Sequence, residues 1–244
     1  MGNMNEPVPA ARERLYEAYR STPGQEAPVG LASLHYYRSF VRLHFPENRS
    51  AEILDLGAGS GGLLLVAQSL GYTHLMGVDR SSSQVKRAPA SGGPSVIQGD
   101  AIQVLRSLPE RSKDAVVLFD VIEHLTRDEL IDLLDEVHRV LGQGGRLLIH
   151  TVNAESPFFG RIRYGDLTHE TAFTVSSLRQ ALALSGFMRV TFHEDLPTRH
   201  SFRSRVRYVL WRMIRAVLAF YLTVETGSCR EAILSQGFVA VAYR

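Results

Sequence analysis

The chain has 244 residues, of which 45% are hydrophobic, and this is enough for a substantial buried core. Its single cysteine excludes an intramolecular disulfide and a cysteine-based zinc cluster. The 27 basic and 25 acidic residues leave a net charge of only +2, so the composition does not favour a nucleic-acid partner. Residues 1–7 lack the basic and apolar regions of a signal peptide, and we therefore expect a cytoplasmic protein.

Residues 51–152 alternate short apolar runs with helical patterns of hydrophobic residues. The apolar runs lack two-residue alternation, as is typical of strands covered on both faces in a parallel sheet. The predicted strands cover residues 53–56, 75–78, 95–97, 115–119 and 146–151. The predicted helices cover residues 62–70, 82–86, 102–108 and 128–141, and we expect the glycines at 142, 144 and 145 to end the last helix. This pattern predicts a doubly wound α/β domain that binds its ligand beyond the carboxyl ends of the strands.

The regions on either side of this core differ from it. Residues 1–50 predict helices at 16–19 and 34–45, which either cap the edge of the sheet or form a lid over cofactor and acceptor. Residues 153–244 begin with an aperiodic loop at 157–173, which we expect to lie over the site. The chain then predicts a helix at 176–185, a strand at 190–193, an arginine-rich helix at 203–224 and a last strand at 238–243, which complete the same domain.

The most informative motif follows the first predicted strand. Gly57, Gly59 and Gly61 allow tight or left-handed backbone conformations and the close approach of a ligand. The helix after them directs its N-terminal amide groups into the same space. Gly57, Gly59 and Gly62 also satisfy the G-x-G-x-x-G spacing of NAD- and FAD-binding folds. The loop alone therefore predicts a nucleotide site without selecting the nucleotide.

Acidic residues end three successive predicted strands and narrow this choice. Asp55 is placed to anchor the glycine loop or to meet the ammonium of an amino-acid group. Asp79 is placed to accept from both ribose hydroxyls, and Asp100 from an exocyclic adenine amine. Asp79 and Asp100 could instead cap the helices that follow them. Because NAD explains only the ribose carboxylate, the ordered set shifts the interpretation away from NAD.

Five motifs occur in a fixed order between residues 50 and 152: Leu54 to Gly61, Gly77 to Asp79, Gly99 to Ala101, Phe119 to Leu125, and Leu141 with Gly144 to Leu147. With this set the chain resembles the class I S-adenosylmethionine (SAM) dependent methyltransferases. The resemblance implies a Rossmann-like sheet of seven strands whose last strand is antiparallel, with an N-terminal helical cap and a C-terminal helical insertion. It also implies that SAM is held at Asp55, Gly57, Ala58, Gly59, Gly61, Asp79, Arg80, Asp100, Ala101, Phe119 and Asp120.

Titratable residues follow the fourth predicted strand. If a helical turn starts at Asp120, then Glu123 and His124 lie at i+3 and i+4 and share its face. His169 lies on the loop that we expect over the same strand ends. Such a set can bind a divalent cation such as Mg²⁺, or a histidine can take the proton of the acceptor. We interpret His150, at the end of the fifth strand, as a buried structural histidine.

This arrangement resembles that of metal-using O-methyltransferases, including ubiquinone-biosynthesis enzymes and plant small-RNA 2′-hydroxyl methyltransferases. Those families have Glu at the first position, where this chain has the shorter Asp120. Three interpretations stay open. Asp120, Glu123, His124 and His169 hold a metal; or His124 or His169 is a general base without metal; or Glu123 and His124 only pair with neighbours such as Arg127 or position SAM.

Several segments after residue 152 resemble methyltransferases of bacterial capsule and exopolysaccharide loci: residues 153–170, 177–180, 185–187 and 226–227. The resemblance implies O-methylation of a hydroxyl on a sugar or glycan intermediate, free or lipid-linked. Arg161, Arg163 and Tyr164 could bind a phosphate or carboxylate on that acceptor, or the arginines could pair with Asp166 and Glu170. The alternatives are methylation of a small aromatic or polyketide hydroxyl or of an amine, and a SAM-binding module without catalysis.

The arginine-rich helix carries the longest apolar stretch, residues 216–224. This stretch is too short for a membrane-spanning helix, which needs about 20 residues. The helix either packs on the domain with a solvated arginine face or lies on a membrane or a lipid-linked substrate as a basic amphipathic helix. No nucleic-acid partner is expected, because basic residues outside positions 203–215 are dispersed.

Overall fold

Seven strands of the described residues form one sheet. The structure, a computed structural model, describes residue 15 and residues 31–88, 93–228 and 232–244, so the predicted helix at 16–19 lies outside the described residues. The strands are β1 (Glu52–Leu56), β2 (His74–Asp79), β3 (Ser95–Gln98), β4 (Lys113–Phe119), β5 (Leu141–Val152), β6 (Arg189–Glu194) and β7 (Gly237–Tyr243). Their order is β3-β2-β1-β4-β5-β7-β6, with β1 to β5 parallel and β7 antiparallel to β5 and β6. The predicted fold class is confirmed, including the last strand inserted beside β6.

Helices cover both faces of this sheet. They are α1 (Leu31–His44), α2 (Gly62–Ser69), α3 (Ser82–Val85), α4 (Ala101–Ser107), α5 (Arg127–Val140), α6 (Phe159–Arg163), α7 (Val175–Leu184) and α8 (Phe202–Thr226), with a 3₁₀ turn at Ile122–His124. Since β1, β2 and β4 run parallel, their carboxyl ends meet at one edge, and the glycine loop and the 3₁₀ turn both begin there.

Helix α5 shows how the sequence builds one of these faces. The Thr126 hydroxyl accepts from the Glu129 amide, while the Glu129 carboxylate accepts from the Thr126 amide, so this capping box fixes the start of the helix. Leu133 and Val137, one turn apart, are buried in a cluster with Ile149 of β5. The amphipathic pattern thus holds α5 against the sheet and leaves its polar face in solvent.

The opposite face is covered by α1 and α2. Phe40 and Val41 of α1 are buried with Ile53 and Leu148 of the sheet. Helix α1 therefore packs on the face of the sheet rather than over the edge expected from the sequence. Because the aromatic side chains of α1 are large, their burial contributes strongly to the core.

Two element boundaries differ from the predictions. Strand β5 begins at Leu141, directly after α5, although the sequence analysis expected it to begin at Arg146. The glycines at 142, 144 and 145 lie within this strand, where the pairing with β4 shifts register between Lys113 and Ala115. An irregular strand with several glycines lacks the apolar signal by which strands are predicted. The segment 157–173 also contains the short helix α6.

Helix α8 lies on the surface of the domain, and Ser204 is its one buried residue. The Arg215 guanidinium donates to Glu194 Oε2 of β6 at 2.7 Å and to the Ala232 carbonyl at 3.1 Å, which fixes the rotation of the helix. Across the described part of the chain, no helix combines the length and the apolar character needed to cross a membrane.

Candidate active site

The glycine loop crosses the carboxyl end of β2. The amides of Gly57 and Ala58 both donate to the Val78 carbonyl, at 2.8 and 3.0 Å. Gly57 has φ +80, and a Cβ there would lie 2.4 Å from Val121 Cγ2. Gly61, with φ +81, is the N-cap of α2. These positions require glycine because the backbone is left-handed and, at Gly57, because the neighbouring side chain leaves no room.

Asp79 fastens this loop to the chain after β2. Its Oδ2 accepts from the Gly59 amide at 2.8 Å, and its Oδ1 accepts from the Ser81 amide at 2.7 Å. Ser81, not Asp79, caps the following helix α3. A carboxylate has about four acceptor positions, so these two bonds leave capacity for ribose hydroxyls.

Asp100 does have the capping role that the sequence left open. Its Oδ1 accepts from the amides of Ile102 and Gln103, both at 3.1 Å, at the start of α4. Capping and adenine binding are compatible, since Oδ2 is a second acceptor on the same carboxylate. Its adenine contact, and those of the neighbouring Ala101 and of Arg80, stay predictions.

Asp55 is a buried carboxylate with an unused acceptor. Only 2% of the residue is exposed, and no donor among the described residues lies within hydrogen-bond distance of Oδ1. Burial, and then the charge of Asp79, raise the pKa of Asp55 to about 7. A buried acceptor without a donor costs about 1–3 kcal/mol. The ammonium of a SAM methionyl group would remove this cost, so the residues at this strand end fit the cofactor.

The end of β4 is occupied by a charged network that the sequence analysis did not foresee. Asp120 has φ +54, and its Oδ1 lies 2.5 Å from His150 Nδ1. His150 Nε2 lies 3.6 Å from Asp195 Oδ2, an ion-pair distance, and Asp195 is hydrogen-bonded by the Tyr36 hydroxyl. Burial lowers the pKa of His150, but the two carboxylates outweigh it and raise the pKa to about 10. The ring is therefore an imidazolium held between two carboxylates, stacked on Phe119 at 4.4 Å.

Glu123 is the other buried carboxylate of this region. Its Oε2 accepts from the Thr151 hydroxyl at 2.9 Å, and its backbone carbonyl accepts from the amides of Glu170 and Thr171 at 2.7 and 3.1 Å. Burial, and then the charge of Asp120, raise the pKa of Glu123 to about 8. The backbone bonds hold the segment 157–173 over the end of β4, as the sequence predicts.

The histidines His124 and His169 have defined tautomers. The Thr168 hydroxyl donates its proton to Asp166, so the contact of 3.0 Å between that oxygen and His124 Nδ1 requires Nδ1–H as the donor. His169 Nδ1 lies 3.1 Å from the Ile162 carbonyl and is likewise a donor. On a neutral His124 ring the lone pair therefore lies on Nε2, and the Nε2 atom of His169 lies 3.9 Å from Asp166 Oδ2. Burial, and then His169, lower the pKa of His124, which keeps that ring neutral near pH 7.

These residues form a compact cluster. One ligand atom each from Glu123, His124 and His169 lies within 4.8 Å of the others. Asp120 is not part of the cluster, because its carboxylate is bound to His150 and its left-handed backbone interrupts the helical turn assumed from the sequence. The structure thus brings together three of the four residues predicted for a metal.

The residues predicted for the acceptor lie on α6 and its C-terminal cap. Arg163 donates to the Glu170 carbonyl at 2.7 Å and lies over the Tyr164 ring at 5.1 Å. Tyr164 is 69% exposed, and Arg161 is exposed as well. The described contacts include a bond to the Glu170 backbone but no ion pair between these arginines and Asp166 or Glu170.

A cavity of about 390 Å³ opens beyond the carboxyl end of β5. Its wall includes Tyr36 and Asp195 of the charged network, Pro157, and Trp211 and Leu218 from the inner side of α8. It adjoins the network and is large enough for part of an acceptor molecule. The network depends on the register of the sheet, in which His150 is the β5 partner of Phe119, and the sequence carries no direct signal for it.

Comparisons with known proteins agree with this fold. A family model described as a methyltransferase domain matches residues 32–191. A SAM-dependent methyltransferase from Archaeoglobus fulgidus aligns with a TM-score of 0.65 and 20% identity over 96% of this chain and 100% of its own. A SAM-dependent methyltransferase from Thermotoga maritima aligns with a TM-score of 0.63 and 17% identity over 94% of this chain and 98% of its own. One from Mesorhizobium loti aligns with a TM-score of 0.58 and 20% identity over 88% of this chain and 99% of its own. No match was found among curated proteins.

Proposed function

The chain belongs to the methyltransferase-domain family, and we propose that this SAM-dependent methyltransferase methylates a hydroxyl group of a sugar or glycan intermediate. The observation that carries the choice of a hydroxyl is the neutral imidazole of His124, with His169 beside it in the same cluster. A neutral amine attacks through its own lone pair, whereas a hydroxyl must lose a proton as it attacks. A neutral imidazole near pH 7 is suited to take that proton.

In the proposed mechanism SAM supplies an electrophilic methyl group on a sulfonium. Asp55 binds the ammonium of its methionyl part, and Asp79 binds the ribose while it keeps the glycine loop in place. When bound, SAM would supply the methyl carbon to the acceptor oxygen, and the electron pair of the broken carbon–sulfur bond would stay on its sulfur. His124 or His169 takes the hydroxyl proton at Nε2. Holding both partners in line supplies several kcal/mol of the rate enhancement.

Val121 supports the proximity of the two halves of the site. Its side chain packs against Gly57, and the 3₁₀ turn with Glu123 and His124 follows it directly. The cluster is therefore one turn of chain from the cofactor loop. Because the pKa of Glu123 is raised, its carboxyl group can carry a proton at neutral pH. Glu123 can then position His124 without placing a second negative charge beside Asp120.

A second candidate mechanism uses a divalent cation in the same cluster. Two Nε2 lone pairs and one carboxylate form a donor set that suits Zn²⁺, Fe²⁺ or Mn²⁺ better than Mg²⁺, which prefers oxygen ligands. His124, His169 and Glu123 would hold such an ion, and its chemistry would lower the pKa of the acceptor hydroxyl. The absence of Asp120 from the cluster makes this the weaker of the two proposals.

A sugar or glycan acceptor is supported by polar groups on α6 and its C-terminal cap and by others in the cavity wall. Arg161 and Arg163 offer guanidinium groups for a phosphate or carboxylate, and Tyr164 offers an exposed ring on which a sugar can stack. Asp195 and Tyr36 provide polar contacts at the cavity wall. Carbohydrate hydroxyls need such paired polar groups in order to leave water.

The test is methyl transfer from labelled SAM to a panel of sugar nucleotides and lipid-linked sugars, with amines and phenols in parallel. We expect an ether-linked methyl group on a sugar. His124→Gln, or His169→Gln if that residue is the base, should lose about 10²–10⁴ in kcat with SAM affinity kept. His74→Gln, at the opposite edge of the sheet, is the matched control and should be fully active. Methylation of amines alone, or full activity in both site variants, would contradict the proposal.

A further inference from the structure

Helix α8 presents an apolar surface that no described part of the chain covers. It has 25 residues, and large hydrophobic side chains are exposed along its whole length. At about 1.5 Å per residue the helix is roughly 37 Å long. These exposed side chains are Phe202, Val206, Val209, Leu210, Met213, Ile214, Val217, Phe220, Tyr221 and Val224. A soluble monomer rarely exposes an apolar surface of this extent, so the surface points to a partner.

The exposed residues are arranged as one stripe. With about 100° between successive residues, seven of them fall within a sector of about 80°. They are Phe202, Val206, Val209, Met213, Val217, Phe220 and Val224, which we call the outer stripe. The stripe faces away from the domain, because Arg215 and Ser204 on the other side of the helix contact it.

Exposed arginines border the outer stripe on both sides. On a helical wheel Arg203 lies along one border, and Arg205 and Arg212 along the other, whereas Arg207 lies further round the helix and lines the cavity. No acidic residue occurs between positions 202 and 224. The helix therefore combines an apolar face with three outward cations, and this is the pattern of helices that lie in the plane of a membrane interface.

We propose that α8 docks the protein on an anionic lipid bilayer, with the outer stripe among the acyl chains and the bordering arginines at the headgroups. Charge decides between this partner and a second copy of the chain. Two α8 helices packed stripe to stripe would place the arginines that border each stripe beside a helix without acidic residues at positions 202–224, so no carboxylate of those positions would neutralise them. Anionic headgroups instead neutralise the same arginines.

The test is sedimentation of the full-length protein with vesicles of phosphatidylcholine alone or mixed with phosphatidylglycerol. We expect binding to the mixed vesicles, and weaker binding to neutral vesicles. Phe220→Glu should abolish it, because a charge in the stripe has to leave water. Thr223→Glu introduces the same charge at an exposed position on the border of the stripe and should weaken binding only about fivefold, as the loss of one arginine would. The double variant Arg203→Gln/Arg205→Gln should bind about 25-fold more weakly.

Other results would overturn the proposal. Equal binding to both vesicle types would remove the role of the arginines. Failure to bind either vesicle type would exclude a membrane as the partner of the outer stripe. A dimer in sedimentation velocity that Phe220→Glu dissociates would assign the stripe to a second copy of the chain. Circular dichroism checks that each variant keeps its helices. Vesicle binding is measured without methyl transfer, so its outcome is independent of the proposed acceptor.

Discussion

The buried carboxylate of Asp55 makes SAM affinity depend on pH in a defined way. Its pKa is raised to about 7 by burial and by Asp79. The proposed contact with the ammonium of SAM requires the ionised form. The apparent Kd is then the intrinsic Kd multiplied by one plus the ratio of protonated to ionised Asp55. With a pKa of about 7, this factor is roughly 11 at pH 6 and 1.1 at pH 8. We expect SAM to bind about tenfold more weakly at pH 6, a difference of about 1.4 kcal/mol.

Protonation of Asp55 at pH 6 does not unfold the protein, so unfolding through this group cannot explain weaker SAM binding. A carboxyl group whose folded pKa lies above its unfolded value binds a proton more readily when folded. Its contribution to stability is present at low pH and is lost as the pH rises through 7, so acidification from pH 8 to pH 6 stabilises the fold through this group. Weaker SAM binding at pH 6 therefore has to come from the lost charge.

Isothermal titration of SAM between pH 6 and 8 measures the effect, with Asp55→Asn as the matched variant. The amide keeps the shape of the side chain without its charge. We expect Asp55→Asn to bind SAM about 10- to 100-fold more weakly at pH 8, since a charge-assisted hydrogen bond contributes about 1.5–3 kcal/mol. Its affinity should change little with pH. A wild-type Kd that is constant from pH 6 to 8 would refute the assignment of the ammonium to Asp55.

Three further predictions concern the loop, the fold and the cluster. Gly57→Ala should lower the free energy of unfolding by about 1–3 kcal/mol and weaken SAM binding, whereas Gly144→Ala, at a similar φ of +77 but with open space, should keep SAM affinity. Denaturant titration measures the free energy of unfolding and calorimetry measures SAM affinity. Equal SAM affinity in the two variants would contradict the steric argument. Thr126→Ala should lower stability by about 1 kcal/mol through the lost cap of α5, with SAM affinity unchanged; an unchanged denaturation midpoint would contradict it. Exhaustive chelation should leave methyl transfer intact if His124 or His169 is a general base, whereas activity lost and then restored by a transition-metal ion would assign the cluster to a cation.

The strands and helices of the core could be predicted because local patterns and burial agree there. The apolar run that became β1 is covered on both faces, and Leu133 and Val137 repeat with the period of the helix they form. The glycine loop and Asp79 could be placed for the same reason, since the carboxyl ends of parallel strands meet at one edge.

The arrangement after β4 could not be predicted from spacing. A helical turn from Asp120 would place it beside Glu123 and His124, but Asp120 adopts a left-handed backbone that non-glycine residues rarely have. Its carboxylate therefore pairs with His150, a contact between residues 30 positions apart. That pairing depends on the register of β4 and β5, and a single sequence does not display register directly.

The cofactor assignment is tested most directly by calorimetric titration of the full-length protein with SAM and, separately, with NAD. We predict that SAM binds one to one, that NAD produces no binding heat, and that Asp79→Ala abolishes SAM binding, because Asp79 fastens Gly59 and Ser81 and is the residue assigned to the ribose. Binding of NAD in place of SAM, or unchanged SAM affinity in Asp79→Ala, would contradict it.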